Sequence, residues 1–172
     1  MRAIDRFDMT DRVAVVTGGS RGLGREMVLA FAQQGADVVI ASRKIDNCRA
    51  VARDVEALGR RAVAVAYHAG DWDAADALAE AVYAEFGRCD VLVNNAGMSP
   101  LYASVDAITE ALYDKVMDVN LKGPFRLSAL IGTRIERPPP SRNLRKAWAV
   151  WFFLLGGKSL ARSMKQARLP ID

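Results

Sequence analysis

Residues 12–43 read "RVAVVTGGSRGLGREMVLAFAQQGADVVIASR", and their pattern decides the fold. "RVAVVTGG" (12–19) is a short β-branched run ending in glycines, the signature of a buried strand. "GLGREMVLAFAQQG" (22–35) follows with helical spacing. Leu23, Met27, Ala30, Phe31 and Gln34 fall on one stripe, and Gly35 stands as its stop. "DVVIASR" (37–43) is a second apolar run of strand length. Two strands joined through an amphipathic helix make a parallel βαβ unit.

The same grammar continues outward. A helix is predicted over 44–59, with Cys48, Val51, Ala52, Val55 and Leu58 inward and Gly59 closing it. A third strand follows at 61–67. A third helix spans 71–87, with Asp71 as N-cap, an apolar stripe through Trp72, Ala75, Leu78, Ala79, Val82 and Phe86, and Gly87 as stop. "CDVLVNNAG" (89–97) is a fourth strand. Residues 109–132 form a long helical pattern, strained at Gly123–Pro124. Four βα units in a row predict an α/β fold: a Rossmann-like, doubly wound parallel sheet covered on both faces.

Charge divides the chain. Residues 1–133 hold 15 Lys/Arg against 18 Asp/Glu, whereas residues 134–172 hold 9 against 2, so the net charge of +4 belongs to the tail. Two cysteines, Cys48 and Cys89, lie in apolar patterns and exclude a disulfide scaffold, which suits a reducing, cytoplasmic setting. The charged start "MRAIDRFDMTDR" has no apolar core of a signal peptide. The longest apolar run, residues 147–157, falls short of the about 20 residues a transmembrane helix needs.

The first strand-to-helix turn, Thr17-Gly18-Gly19-Ser20-Arg21-Gly22-Leu23-Gly24, lies at the carboxyl end of its strand, where parallel sheets bind ligands. Glycine lets the backbone approach a diphosphate, and the N–H groups opening the next helix favour its charge. A glycine turn alone is weak evidence, since glycine also serves helix–strand packing. At the end of the second strand an acid would hold a ribose 2′-hydroxyl, and an arginine a 2′-phosphate. Here stand Ser42, Arg43 and Lys44, with Arg21 able to approach from the glycine turn. The alternative is a solvated helix start, which places two cations at an unfavourable helix end. The pattern favours NADP over NAD.

These residues together resemble the short-chain dehydrogenase/reductase family over about residues 9–133. "TGGSRGLG" matches its cofactor loop at Thr17, Gly18, Gly22 and Gly24, with Ser20, Arg21 and Leu23 between them; "NNAG" at Asn94, Asn95, Ala96 and Gly97 matches the motif after the fourth strand; "VNLKGPF" places Asn120 at the family's catalytic-site asparagine. The resemblance implies carbonyl reduction or alcohol oxidation of a small molecule by transfer of the pro-S hydride. One position departs: His68, the sole histidine, stands where the family usually carries an aspartate that contacts the adenine. The alternative for His68 is a plain surface residue, and no companions for a metal site accompany it.

The family's proton donor is a tyrosine with a lysine four residues on, beside a serine. Tyr67, Tyr83, Tyr102 and Tyr113 are followed four residues later by Asp71, Gly87, Asp106 and Met117. Where a fifth strand is expected the chain reads "TRIERPPPSRNLRKAW", and three prolines cannot sit in a central strand. The expectation is a cofactor-binding portion, 1–133, truncated after the fourth strand and fourth helix, followed by a basic tail, 134–172. Of the catalytic set Asn120 alone remains. For the tail, a frame-shift or fusion product is favoured over a membrane-surface anchor, and nucleic-acid binding ranks last because Trp148 and Trp151 are not interleaved with basic residues. An uncovered fourth strand and fourth helix imply self-association.

Overall fold

The computed structural model describes residues 7–135, so the predicted tail beyond Ile135 lies outside the described residues. Four strands, β1 (Val13–Thr17), β2 (Asp37–Ser42), β3 (Ala62–Ala66) and β4 (Val91–Asn94), form one parallel sheet in the order β3-β2-β1-β4. Between and after them run α1 (Gly22–Gln33), α2 (Ile45–Ala57), α3 (Trp72–Phe86), α4 (Glu110–Met117) and α5 (Gly123–Ile135). The fold is the expected Rossmann-like α/β arrangement.

Why these residues make strands follows from burial. All five residues of β1 are buried, because β1 has a strand on each side and a helical layer on each face. Parallel strands in that position read as continuous apolar runs. Alternate residues then go to opposite layers. Val16, Val38 and Ile40 pack with Val28, Cys48, Val51 and Val55 of α1 and α2. Val15, Val39 and Ala41 pack with Leu78, Val82, Leu127 and Ile131 of α3 and α5. Each large side chain buried in these layers contributes about 1.5–3 kcal/mol.

Helix ends follow the local chemistry. Asp71 caps α3, its carboxylate accepting from the N–H of Asp73 at 3.0 Å and of Ala74 at 3.2 Å. Gly35, Gly59 and Gly87 all have positive φ just beyond their helices, at 99°, 75° and 67°. On α1 the buried residues are Gly24, Val28 and Ala32, one position on from the expected stripe of Leu23, Met27, Ala30, Phe31 and Gln34, of which none is fully buried. Four expected inward residues, Leu23, Ala30, Leu58 and Trp72, are exposed. Leu58 lies past the last turn of α2. Leu23 sits in the first turn of α1, at the mouth of the sheet's carboxyl edge. Trp72 opens α3, its ring lying under the Arg126 guanidinium at 4.8 Å. In a helix as apolar all round as α1, spacing fits two neighbouring stripes equally well, and it never tells whether the first and last turns reach the core.

The amino end of the sheet is pinned by Asp90, whose buried carboxylate accepts from Val13 N–H at 2.9 Å, from Arg12 at 3.1 Å and from the Arg88 fork at 2.9 and 2.5 Å.

The long helix predicted over 109–132 is interrupted. Five residues, Asp118–Lys122, wind as a π-turn between α4 and α5. Gly123 then donates its N–H to Asp118 O. Pro124 has no N–H, so the carbonyl of Asn120 lacks its usual donor four residues on. Gly123 is buried, and a Cβ built there would lie 1.6 Å from the Ala69 carbonyl oxygen. Gly132, one helical face away, would place a Cβ in open space.

The two glycines therefore respond oppositely to alanine. In urea unfolding, Gly123→Ala is expected to lower stability by about 3 kcal/mol, while Gly132→Ala raises it by about 0.5–1 kcal/mol through helix propensity.

Candidate functional site

The sheet order brings β1 and β4 together at the point where the chain changes direction of growth, β2 and β3 lying to one side and β4 to the other. Open parallel sheets bind ligands in the crevice outside the carboxyl ends of strands at such a point. Both motifs singled out in the sequence converge there. The glycine turn, residues 17–24, leaves β1, and Asn94–Gly97 leaves β4.

Thr17 joins them. Its buried hydroxyl accepts from the N–H of Asn95 and of Ala96, each at 3.0 Å, and donates to Val93 O at 3.3 Å. The Asn95 side-chain amide donates back to Thr17 O at 3.0 Å and Gly18 O at 3.3 Å. These bonds turn the chain out of the sheet after Asn94, which is why β4 is shorter than the predicted 89–97. Asn94 itself reaches Ser128 of α5 through its amide, at 2.9 Å.

The glycine turn has two kinds of glycine. Gly24 is required by packing, since a Cβ there would lie 2.3 Å from Gly18 O. Gly22 has φ 53° and nothing within 4 Å of a Cβ position. It opens α1 with its outward side clear. Arg21, at the N-cap, is extended and its side chain makes no capping bond, and the first turn holds no acid. The N–H groups opening α1 thus have no side chain capping them, beside a Gly22 whose Cβ position is clear. Such a surface fits an anionic diphosphate.

Beside it, Ser20 and Ser42 share a hydrogen bond of 2.9 Å, linking the glycine turn to the end of β2. Arg43 and Lys44 follow, both exposed. Among the described residues, Arg21, Arg43 and Lys44 form no ion pair, unlike Arg25, which is held by Asp54 at 2.9 Å and Glu26 at 3.0 Å. On the outer side, Tyr67 N–H donates to Ser42 O at 3.0 Å, and His68 follows, exposed, its Nδ1 accepting from Gly70 N–H at 3.2 Å.

On the β4 side, Asn120 lies in the π-turn. Its amide clamps one residue: Oδ1 accepts from Met98 N–H and Nδ2 donates to Met98 O, both at 2.8 Å. The loop after Asn94–Gly97 is thereby tied to the helical arm. Spacing could flag Asn120 but not its partner, because a bond to backbone leaves no trace in residue type. Ser128 was equally hidden, a small polar residue on an otherwise apolar helix face.

Neither the buried Tyr67 nor the half-buried Tyr83 is placed for proton transfer. Burial pushes Tyr67 and Tyr83 up to about 12, and Tyr83 spends its hydroxyl on Ile131 O at 3.3 Å. Cys89 is also driven up to about 12 by burial. Among the described residues no group of three His, Cys, Asp or Glu is placed to hold a metal, and no helix is long and apolar enough to cross a membrane.

Comparison with known proteins gives the same picture. The short chain dehydrogenase family model matches residues 12–138. Galactitol 2-dehydrogenase of Agrobacterium fabrum is 42% identical over 130 residues, covering 75% of this chain and 49% of that protein. The crystal structure of a metagenomic short-chain oxidoreductase in complex with NADP has a TM-score of 0.72 at 37% identity, over 76% of this chain and 59% of that one. L-Sorbose reductase of Gluconobacter frateurii, complexed with NADPH and L-sorbose, has a TM-score of 0.71 at 30% identity, over 76% and 51%. The chain spans about half the length of the curated relatives it matches.

The Thr17 hydroxyl serves two buried N–H groups at once. Thr17→Val, nearly the same shape, is expected to cost about 2–4 kcal/mol in urea unfolding, because both donors lose their acceptor. Thr17→Ser should retain most of the stability.

Proposed function

Because the chain belongs to the short-chain dehydrogenase family of oxidoreductases, we propose that residues 1–133 are the cofactor-binding portion of an NADP-dependent enzyme acting on a small alcohol or carbonyl compound. Bound NADPH supplies the hydride. The observation that carries the NADP assignment is the end of β2, where Ser42 is followed by Arg43 and Lys44 and no acid stands to hold a ribose 2′-hydroxyl.

The chain's own residues divide the work. Thr17, Gly18, Ser20, Gly22, Leu23 and Gly24 present the glycine turn and the start of α1 to the diphosphate. Arg43, with Arg21 across from it, neutralises the 2′-phosphate through charge-assisted bonds, and Ser42 lines the floor between them. His68 faces the base. Asn94, Asn95, Ala96 and Gly97 border the ribose. Asn120 holds the adjoining wall by its amide. Two relatives are named for polyol or keto-sugar chemistry, galactitol and L-sorbose, which supports a small polar substrate.

The 172 residues contain no Tyr-x-x-x-Lys, so this chain by itself binds cofactor without a group to protonate the developing alkoxide. Its free thiols, Cys48 and Cys89, suit the cytoplasm. Among the described residues β4 is an edge strand and Tyr113, Leu121 and Phe125 are exposed, which supports self-association through that side.

Fluorescence titration tests the assignment. NADPH should bind at least tenfold more tightly than NADH. Arg43→Ala should weaken NADPH about 10- to 50-fold, the range for a lost charge-assisted bond, and leave NADH within about twofold. Equal affinities for the two cofactors, unchanged by the substitution, would count against it. With a panel of carbonyl compounds the purified chain should show no NADPH oxidation above background.

A further inference from the structure

We propose that the chain holds NADP by its adenosine 2′-phosphate and diphosphate alone, and so binds the oxidised and the reduced cofactor equally well. The inference rests on the NADP assignment above and names the part of the ligand that carries the affinity.

A dinucleotide laid across the point where β1 meets β4 puts its two halves on opposite sides. The half bearing the 2′-phosphate lies toward β2 and the nicotinamide half toward β4. The two sides hold out different groups. Toward β2 stand Arg21, Arg43 and Lys44, all exposed and without an ion pair among the described residues. Beside them are the uncapped N–H groups opening α1. Phosphates bring several negative charges to this side, where each cation can form a charge-assisted bond.

Toward β4 the polar side chains are spent on the protein itself. The Thr17 hydroxyl serves Asn95 and Ala96. The Asn94 amide nitrogen donates to Ser128 Oγ at 2.9 Å, and that of Asn95 to the carbonyls of Thr17 and Gly18 at 3.0 and 3.3 Å. Both polar atoms of the Asn120 amide close on Met98 at 2.8 Å. A carboxamide arriving on this side finds these groups already engaged.

Redox state is written in charge. The oxidised nicotinamide ring is a cation and the reduced ring is neutral, so telling them apart takes a charge close by. Residues 91–105 contain no Asp, Glu, Lys or Arg. Asp118 and Lys122, on either side of Asn120, bond each other at 3.1 Å. Gly97, Ser99 and Leu101 are exposed, so this stretch adjoins water, which weakens whatever field remains.

Calorimetric titration of the full chain tests this with NADP⁺, NADPH, 2′-phospho-ADP-ribose, which lacks only the nicotinamide, and nicotinamide mononucleotide, the opposite half. The first three should bind within about threefold of one another, less than one typical hydrogen bond is worth. Nicotinamide mononucleotide should give no binding heat at millimolar concentration. Arg43→Ala should weaken all three 2′-phosphate ligands by one common factor, about 10- to 50-fold. Bound NADPH should keep the emission maximum it has in water, because its ring stays solvated. A gap of about tenfold or more between NADP⁺ and NADPH, or between NADPH and 2′-phospho-ADP-ribose, overturns the proposal while the NADP assignment stands. A blue-shifted emission, the mark of an enclosed ring, overturns it in the same way. Should none of the 2′-phosphate ligands bind, the NADP assignment fails and this inference with it.

Discussion

The β1–β4 pair carries the molecule. Its strands are 77 residues apart in sequence at the Val13–Asp90 contact, and side chains lock the pair at both ends. At the amino end, the buried Asp90 carboxylate takes Val13 N–H and is neutralised by Arg12 and Arg88. At the carboxyl end, the Thr17 hydroxyl and the Asn95 amide cross-link the two loops that leave the strands. A buried carboxylate without its arginines would cost several kcal/mol, and a buried N–H without its acceptor about 1–3 kcal/mol. Everything at the crevice is built on the geometry these bonds impose.

From that lock the rest of the site follows in order. Once Asn95 holds the carbonyls of Thr17 and Gly18, the glycine turn has little freedom, and Gly24 must lack a side chain to pass Gly18 O. Gly22 is then left facing outward with φ positive and space before it. Close packing behind and clearance in front are different demands on the same residue type, and the turn meets each with a separate glycine.

The helical arm on the other side is shaped by a conflict resolved locally. Gly123 must pass against Ala69 O, and Pro124 cannot donate. The chain answers with the π-turn Asp118–Lys122, which widens the helix by one residue per turn there. Asn120 sits inside it, and its clamp on Met98 joins the arm to the loop beyond β4. α3 and α5 are fastened outside by arginines that combine an acid with a ring: Arg126 with Asp76 and Trp72, Arg134 with Glu80 and Tyr83.

What the sequence determined by itself was whatever depends on local pattern. Val13–Thr17 and Asp37–Ser42 are strands because both their faces are buried and their composition says so; Asp71, Gly35, Gly59 and Gly87 end helices through bonds and dihedrals spanning a few residues. The glycine turn and Asn94–Gly97 were legible for the same reason, as short motifs. Tertiary structure alone decided the rest. That Leu23, Leu58 and Trp72 face outward depends on what lies opposite them, not on their spacing. That Thr17 serves Asn95 and Ala96, that Asn120 grips Met98, and that Asn94 finds Ser128 are contacts between segments 22 to 79 residues apart, several of them to backbone atoms every residue shares. Residue type records what a side chain can bond. Only the fold brings its partner within 3 Å.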